Sequence, residues 1–164
     1  MKKSGFADRY LHQGEIAELA ERTDHKTLAT WALDCAERVL PYFERRYPED
    51  DRPRVAIETG RSWVKTGVFR MAVIRKAALD SHSAAREVKG DAAARSAARA
   101  AGQAVATAHV PKHALAAAVY AATAIRDATH LTNADAAMTK EREWQYQHLA
   151  ELARMNGGHS RIES

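Results

Sequence analysis

The chain has 164 residues, of which 46% are hydrophobic and 28% are charged. This length suits one domain, and this balance excludes a disordered chain, which would be poorer in apolar residues. A net charge of +4 permits contact with an acidic protein or with nucleic acid, although an excess of this size is usually only a solvated surface. Alanine makes up roughly a fifth of the chain, and because alanine is the strongest helix former the composition predicts an all-α fold.

Two helices are predicted in the first quarter of the chain, over residues 10–22 and 25–39. Asp24 can cap the second helix, because its carboxylate can accept the unpaired N–H groups of the first turn. Pro41 is expected to bend or restart this helix, since proline lacks the N–H donor and clashes with the preceding turn. Cys35, the one cysteine of the chain, falls on the apolar face and is expected to be buried. That face is formed by Leu28, Ala32, Cys35 and Val39.

The next two helices are separated by clear breaks. Residues 48–53 contain two prolines and several charges, which predicts a loop with Pro53 in the first turn of the third helix. Thr66 and Gly67 form a short break before a fourth helix over 68–88. The apolar side of this fourth helix is expected to contain Phe69, Ala72, Val73 and Ala77.

Three further helices are predicted in the second half. The fifth, over 92–108, follows Asp91 as its cap, and the sixth covers 112–129. The sixth helix is apolar nearly all round, with Leu115, Val119, Ala122 and Ile125 on one face, so it should be buried. A capping pattern at 132–135 opens the seventh helix. The sequence therefore predicts a compact bundle of six to seven helices with the alanine-rich fifth and sixth at its centre.

Residues 9–155 are predicted to form one helical domain, and residues 1–8 and 156–164 are predicted to be flexible termini. No signal peptide is recognisable, and no stretch approaches the roughly 20 apolar residues of a membrane helix. We therefore expect a cytoplasmic protein without membrane contact.

Several polar pairs are spaced for contact along a helix. His109 and His113 are four apart, a spacing that could hold a metal on a continuous helix, but Pro111 interrupts it. Packing or a polar contact is therefore favoured, and a metal-dependent enzyme using His109 and His113 is kept as an alternative. Asp34 and Arg38 are spaced for an intrahelical ion pair. His82 and Arg86 are also four apart, and could face a partner or be part of an ordinary exposed surface.

The sequence contains no glycine-rich phosphate loop, no nucleophile elbow and no CxxC pair. We therefore expect no catalytic residue, no bound metal and no cofactor, and a protein that is not an enzyme. Nucleic-acid binding through basic helix faces is a second alternative, and nucleic acid is disfavoured as a partner because these faces lack interleaved aromatic residues. The basic residues in question are Arg70, Arg75, Lys76, Arg95 and Arg99.

Four segments, at 31–41, 51–58, 82–86 and 106–115, together resemble the all-helical immunity proteins of bacterial polymorphic toxin systems. The resemblance covers roughly residues 28–125. It implies a small protein that binds and neutralises a cognate toxin protein, and it leaves the oligomeric state open. The resemblance marks nine polar positions as candidates for partner binding, and it leaves internal polar contacts as the alternative role for each of them. They are Asp34, Arg38, Asp51, Arg52, Glu58, His82, Arg86, His109 and His113.

Overall fold

Seven helices form the part of the chain that the computed structural model describes, which is residues 12–157. No strand occurs within that range. The all-α prediction is therefore confirmed. In chain order the helices are α1 (Gln13–Glu21), α2 (His25–Arg46), α3 (Arg52–Thr66), α4 (Met71–Glu87), α5 (Ala92–Ala106), α6 (His113–Ala128) and α7 (Ala134–Gly157).

The helix boundaries follow local capping chemistry. The carboxylate of Asp24 accepts a hydrogen bond from the Thr27 backbone N–H at 3.1 Å, and the carboxylate of Asp91 accepts one from the Ala94 N–H at 2.9 Å. Each bond satisfies a donor that has no partner inside its own helix. Gly67 ends α3 in the left-handed region at φ 70°, a conformation that glycine adopts without steric cost. Both predicted aspartate caps and the break before α4 are thus confirmed.

The expected end of the second helix near Pro41 is wrong. The helix continues through Pro41 to Arg46 without a restart. A proline inside a helix costs about 3 kcal/mol because it removes one backbone hydrogen bond and crowds the preceding turn. The residues beyond it offset that cost, since Phe43 is buried and Tyr47 packs against the core. Tertiary packing thus outweighs the local preference at this position.

The predicted apolar side of the fourth helix is wrong for Phe69, Ala72 and Val73, which are exposed, whereas Ala77 is buried as predicted. The helix begins at Met71, and Phe69 and Val73 are exposed to solvent. The side that α4 buries is lined mainly by small residues, and consists of Ile74, Ala77, Ala78, Ser81, Ala84 and Ala85. The larger apolar residues at the start of α4 therefore point away from the core.

The alanine-rich helices lie at the centre, as predicted. Helix α5 packs against α2, α3, α4 and α6, and α6 packs against α2, α5 and α7. Alanines supply almost the whole buried face of α6, whereas Leu115, Val119 and Ile125 are only half-buried. Small side chains allow the helix backbones to approach closely, so the centre of the bundle is filled largely by alanine. The larger residues that we expected on the buried face of α6 instead lie at its margin.

Helix α7 is held to the bundle by polar contacts in the interior. The Trp31 indole N–H donates to the Gln145 carbonyl at 2.8 Å, and the Gln145 side-chain amide donates to the Ala118 carbonyl at 2.8 Å. Arg142 is fully buried and donates to the Gln145 side-chain oxygen at 2.7 Å. Since a buried polar group without a partner is costly, these bonds fix the position of α7 against α2 and α6. Near its end, Asn156 donates to the Thr27 hydroxyl.

Residues 156 and 157, which were predicted to begin a flexible terminus, form the last turn of α7. Residues 1–8 and 158–164 lie outside the described residues. No helix within residues 12–157 combines the length and apolar character needed to span a membrane.

Candidate functional site

Asp34 connects α2 to two neighbouring helices. One of its carboxylate oxygens accepts a hydrogen bond from Arg61 of α3 at 3.0 Å, and the other lies 2.7 Å from Nε2 of His148 on α7. The predicted intrahelical pair with Arg38 is therefore wrong. Neighbouring helices supply both partners of this carboxylate, and spacing along one helix cannot reveal them.

Arg38 points to α7. Its guanidinium donates two hydrogen bonds to the carboxylate of Glu141, at 2.7 and 2.9 Å, and lies 3.8 Å from the centre of the Trp144 ring. The Glu141 side chain is only 5% exposed, whereas that of Arg38 is 42% exposed. A bidentate pair with a nearly buried carboxylate is stronger than a solvent-exposed ion pair between residues four apart on one helix, so Arg38 pairs with Glu141.

The charges continue along α2 and α3 as a connected row. Glu37 accepts hydrogen bonds at 3.0 Å from both Arg54 and Arg61, and Glu44 accepts one from Arg54 at 2.7 Å. Burial tends to raise the pKa of Glu37, but the hydrogen bonds from the two arginines lower it below its ordinary value. We refer to Asp34, Glu37, Glu44, Arg54 and Arg61 as the ion-pair row.

Arg52 connects the loop before α3 to the end of α4. Its guanidinium donates to both carboxylate oxygens of Asp50, at 2.9 and 2.7 Å, and also bonds Glu87. The hydrogen bonds from Arg52 lower the pKa of Asp50. Asp51 is exposed, and its side chain does not cap α3 although the residue precedes that helix. Asp51 and Arg52 were both predicted to bind a partner. Arg52 also has a structural role, because it connects the loop before α3 to the end of α4.

Three histidines that were predicted to bind a partner line one cavity of about 190 Å³ between α4, α5 and the start of α6. They are His82, His109 and His113, and Gln103 lies among them. Nδ1 of His113 lies 2.7 Å from the Gln103 side-chain oxygen. His109 is exposed, and its ring is stacked with that of Phe69 at a distance of 6.5 Å between the ring centroids. The packing of α4, α5 and α6 therefore brings together residues that are far apart in sequence.

His82 forms part of the inner wall of this cavity. A Cβ atom on Gly102 of α5 would come within 2.8 Å of its ring, so the close contact requires glycine. Nδ1 of His82 is buried and has no hydrogen-bond partner among residues 12–157. Burial lowers the pKa of His82, and the nearby Arg99 and Arg86 lower it further. These effects favour the neutral form of the imidazole.

The pKa of His113 is also lowered. Burial lowers its pKa, and the neighbouring His109 adds to the effect. Arg86 is exposed, and its guanidinium donates to the Ser83 hydroxyl at 2.8 Å. No group of three or more His, Cys, Asp or Glu side chains within residues 12–157 is arranged to hold a metal ion.

A second cavity, of about 510 Å³, lies between α3 and α4. Its lining includes Glu58, Trp63, Val68 and Arg70, and it shares Ile74 with the histidine cavity. The two cavities therefore lie on either side of the start of α4. We refer to the two cavities and the exposed residues at 68–79 between them as the α4 face.

The α4 face displays five large apolar side chains that our sequence reasoning placed in the core or overlooked. Val68 is 59% exposed, Leu79 is 57% exposed and Phe69 is 43% exposed. The other two are Met71 and Val73. One signal could have revealed Met71 and Val73, since residues 71–74 are four successive apolar residues. Successive residues of a helix point about 100° apart, so a single buried side cannot hold all four.

The nine predicted partner-binding residues thus fall in three places. Glu58, His82, His109 and His113 line the cavities of the α4 face, and Arg86 lies one helical turn beyond His82. The remaining four lie in the contacts of α2 with α3 and α7, and at the start of α3. They are Asp34, Arg38, Asp51 and Arg52. Their role in partner binding stays a prediction.

Residues 18–152 match a family described as "Imm-5 like putative immunity protein". No curated protein and no solved structure matches the chain. The match covers all but the ends of the helical bundle, including all nine residues discussed above. The chain therefore belongs to this family of Imm-5 like putative immunity proteins.

Proposed function

We propose that the chain is an immunity protein of a bacterial polymorphic toxin system, which binds a cognate toxin domain in the cytoplasm and neutralises it by protein–protein contact. In this proposal the chain catalyses no reaction and needs no cofactor. Family membership supports the proposal. The structural observation that carries it is the cluster of large apolar side chains exposed on the α4 face.

Exposed apolar residues are informative only when they are contiguous. Single ones are normal on any protein, whereas a patch between cavities is typical of a protein-binding surface. Eight large apolar side chains are exposed within residues 12–157, and five of them lie between residues 68 and 79. A sixth, Val55, lines the same cavity as Val68 and Val73. This concentration favours a partner that covers the α4 face.

The test is a tagged pull-down from the native host at moderate salt, followed by mass spectrometry of what co-purifies. The dominant partner is then expressed alone in a sensitive bacterium, and together with the chain. We expect growth arrest by the partner and restored growth when the chain is present.

Other outcomes would contradict the proposal. Recovery of nucleic acid alone, with binding that weakens steeply as salt rises, would favour a nucleic-acid-binding protein, because phosphate contacts release counterions. Stoichiometric metal in the purified chain would favour a metal-dependent enzyme. A partner that is harmless when expressed alone would also count against toxin neutralisation.

A further inference from the structure

Arg70 and Arg75, two of the three cations at residues 68–79 of the α4 face, have no carboxylate partner within residues 12–157, whereas Lys76 pairs with Asp80. Arg70 lines the larger cavity and Arg75 lines the smaller one, and both are exposed. Neither arginine donates to a carboxylate within residues 12–157. Of the carboxylates on this side, Asp80 is bound by Lys76 at 2.5 Å, and Glu58 lies at the larger cavity. The α4 face therefore carries positive charge available to an acidic partner.

The smaller cavity has the dimensions of a side-chain pocket. Its volume of about 190 Å³ is below the roughly 300–1,000 Å³ that is typical of small-molecule sites. Met71, Ala78 and Leu79 contribute an apolar rim, and His82 and His113 lie deeper against α5. An apolar side chain of a partner could enter here while its neighbours reach Arg75. A hydrophobic anchor surrounded by charge pairs is a usual arrangement in protein interfaces.

We infer that the α4 face binds an acidic segment of the partner, which inserts one large apolar side chain into the histidine-lined cavity and places carboxylates against Arg70 and Arg75. This inference rests on the proposed function only in taking that partner to be the toxin domain. Charge complementarity decides the class of occupant. Unpaired guanidinium groups beside exposed apolar side chains suit an acidic protein surface better than a basic one.

The experiment uses the full-length chain and a phage-displayed library of random peptides as the probe. Selected peptides are synthesised, and their affinities are measured by fluorescence anisotropy at low and high salt. The variants are Leu79→Asp and Arg75→Glu, both at exposed positions of α4. The matched control is Arg154→Glu, which reverses an exposed charge on α7, where Arg154 pairs with Glu151. Circular dichroism verifies that each variant is folded.

We expect the selected peptides to be rich in Asp and Glu around a Leu, Phe, Trp or Met. Leu79→Asp should weaken their binding at least about tenfold, because a charge would occupy the rim of an apolar cavity. Arg75→Glu should weaken binding several-fold and reduce its salt dependence, while the control should retain wild-type affinity.

The inference is overturned if the selected peptides show no acidic excess, or if both α4 variants bind them as tightly as the wild type. It is also overturned if no peptide is enriched while a single-stranded DNA oligonucleotide binds and loses affinity in Arg75→Glu. None of these results depends on growth rescue. Failure of the surface assignment can therefore be distinguished from failure of the proposed neutralising function.

Discussion

Arginine residues have carboxylate partners in the ion-pair row, whereas two arginines of the α4 face have none among the described residues. In the row, each of two arginines of α3 bonds two carboxylates of α2, so the charges are compensated within the bundle. On the α4 face, Arg70 and Arg75 have no carboxylate partner within residues 12–157, and large apolar side chains lie in solvent. The contrast indicates that the row and its neighbouring pairs stabilise the fold, whereas the α4 face is available to a partner. Substitutions in the two regions should therefore affect different properties.

The largest effect on stability is expected at the contact between α2 and α7. Arg38→Ala would leave the carboxylate of Glu141 nearly buried and without its guanidinium partner. We expect the free energy of unfolding to fall by about 3 kcal/mol, the lower end for a broken buried pair because Arg38 is partly exposed. Urea denaturation measures this change. The control, Arg154→Ala, removes an exposed pair and should cost less than about 1 kcal/mol. Equal losses in the two variants would contradict the assigned role of the Arg38–Glu141 pair.

Two glycines give a matched comparison of the core between α2 and α3 with the histidine-lined cavity. A Cβ at Gly60 would come within 2.6 Å of the buried Leu33 side chain, and one at Gly102 would come within 2.8 Å of His82. Gly60→Ala and Gly102→Ala should each lower the free energy of unfolding by about 1 kcal/mol. Crowding costs about 1–3 kcal/mol, and the better helix propensity of alanine offsets about 1 kcal/mol.

Only Gly102→Ala should also weaken binding of the selected acidic peptides, because it displaces the wall of the histidine cavity. Thermal unfolding and peptide titration of the same samples separate the two effects. Equal peptide affinity of the two glycine variants would show that the histidine cavity is not used.

Substitution of an exposed apolar residue should have almost no effect on folding. Leu79→Ser is expected to change the free energy of unfolding by less than about 0.5 kcal/mol, because the side chain is 57% exposed. Urea denaturation again provides the measurement. A loss of several kcal/mol would show that Leu79 belongs to the core and not to a surface available to a partner.

The smallest of these effects is expected in the pH dependence of the free energy of unfolding. Burial lowers the pKa of His82 and of His113, so the unfolded chain binds more protons than the folded chain just below the ordinary histidine pKa of about 6.5. The free energy of unfolding should therefore decrease as the pH falls below about 6.5. His12 contributes to this pH dependence with the opposite sign, because the hydrogen bond with Glu143 raises its pKa.

Urea denaturation of a His12→Gln variant between about pH 7.5 and pH 5 removes the opposing contribution of His12, and carboxylates titrate mainly below this range. Stability that stays constant, or increases, as the pH falls would contradict the assigned partial burial of His82 and His113.

Local chemistry made part of the fold predictable. The caps at Asp24 and Asp91 and the break at Gly67 depend on neighbouring residues alone, and the sequence predicted all three correctly. The central position of α5 and α6 followed from their alanine content. The family resemblance was also confirmed by the match over residues 18–152.

The errors came from long-range packing. The partners of Asp34 and Arg38 lie on α3 and α7, which spacing along α2 cannot reveal. Pro41 remains helical because Phe43 beyond it is buried, and that depends on the rest of the core. The start of α4 was placed in the core because apolar residues usually bury. In the structure the small residues of α4 pack against the bundle, and the large apolar residues at its start are exposed.

The most direct test of this division between the two regions is calorimetric titration of the recovered partner with three forms of the chain. These are the wild type, Leu79→Asp on the α4 face and Arg54→Gln in the ion-pair row. We predict that Leu79→Asp binds at least about tenfold more weakly, with wild-type stability, and that Arg54→Gln binds normally with reduced stability. Wild-type affinity in Leu79→Asp, together with loss of binding in folded Arg54→Gln, would contradict the account and place the interface at the row.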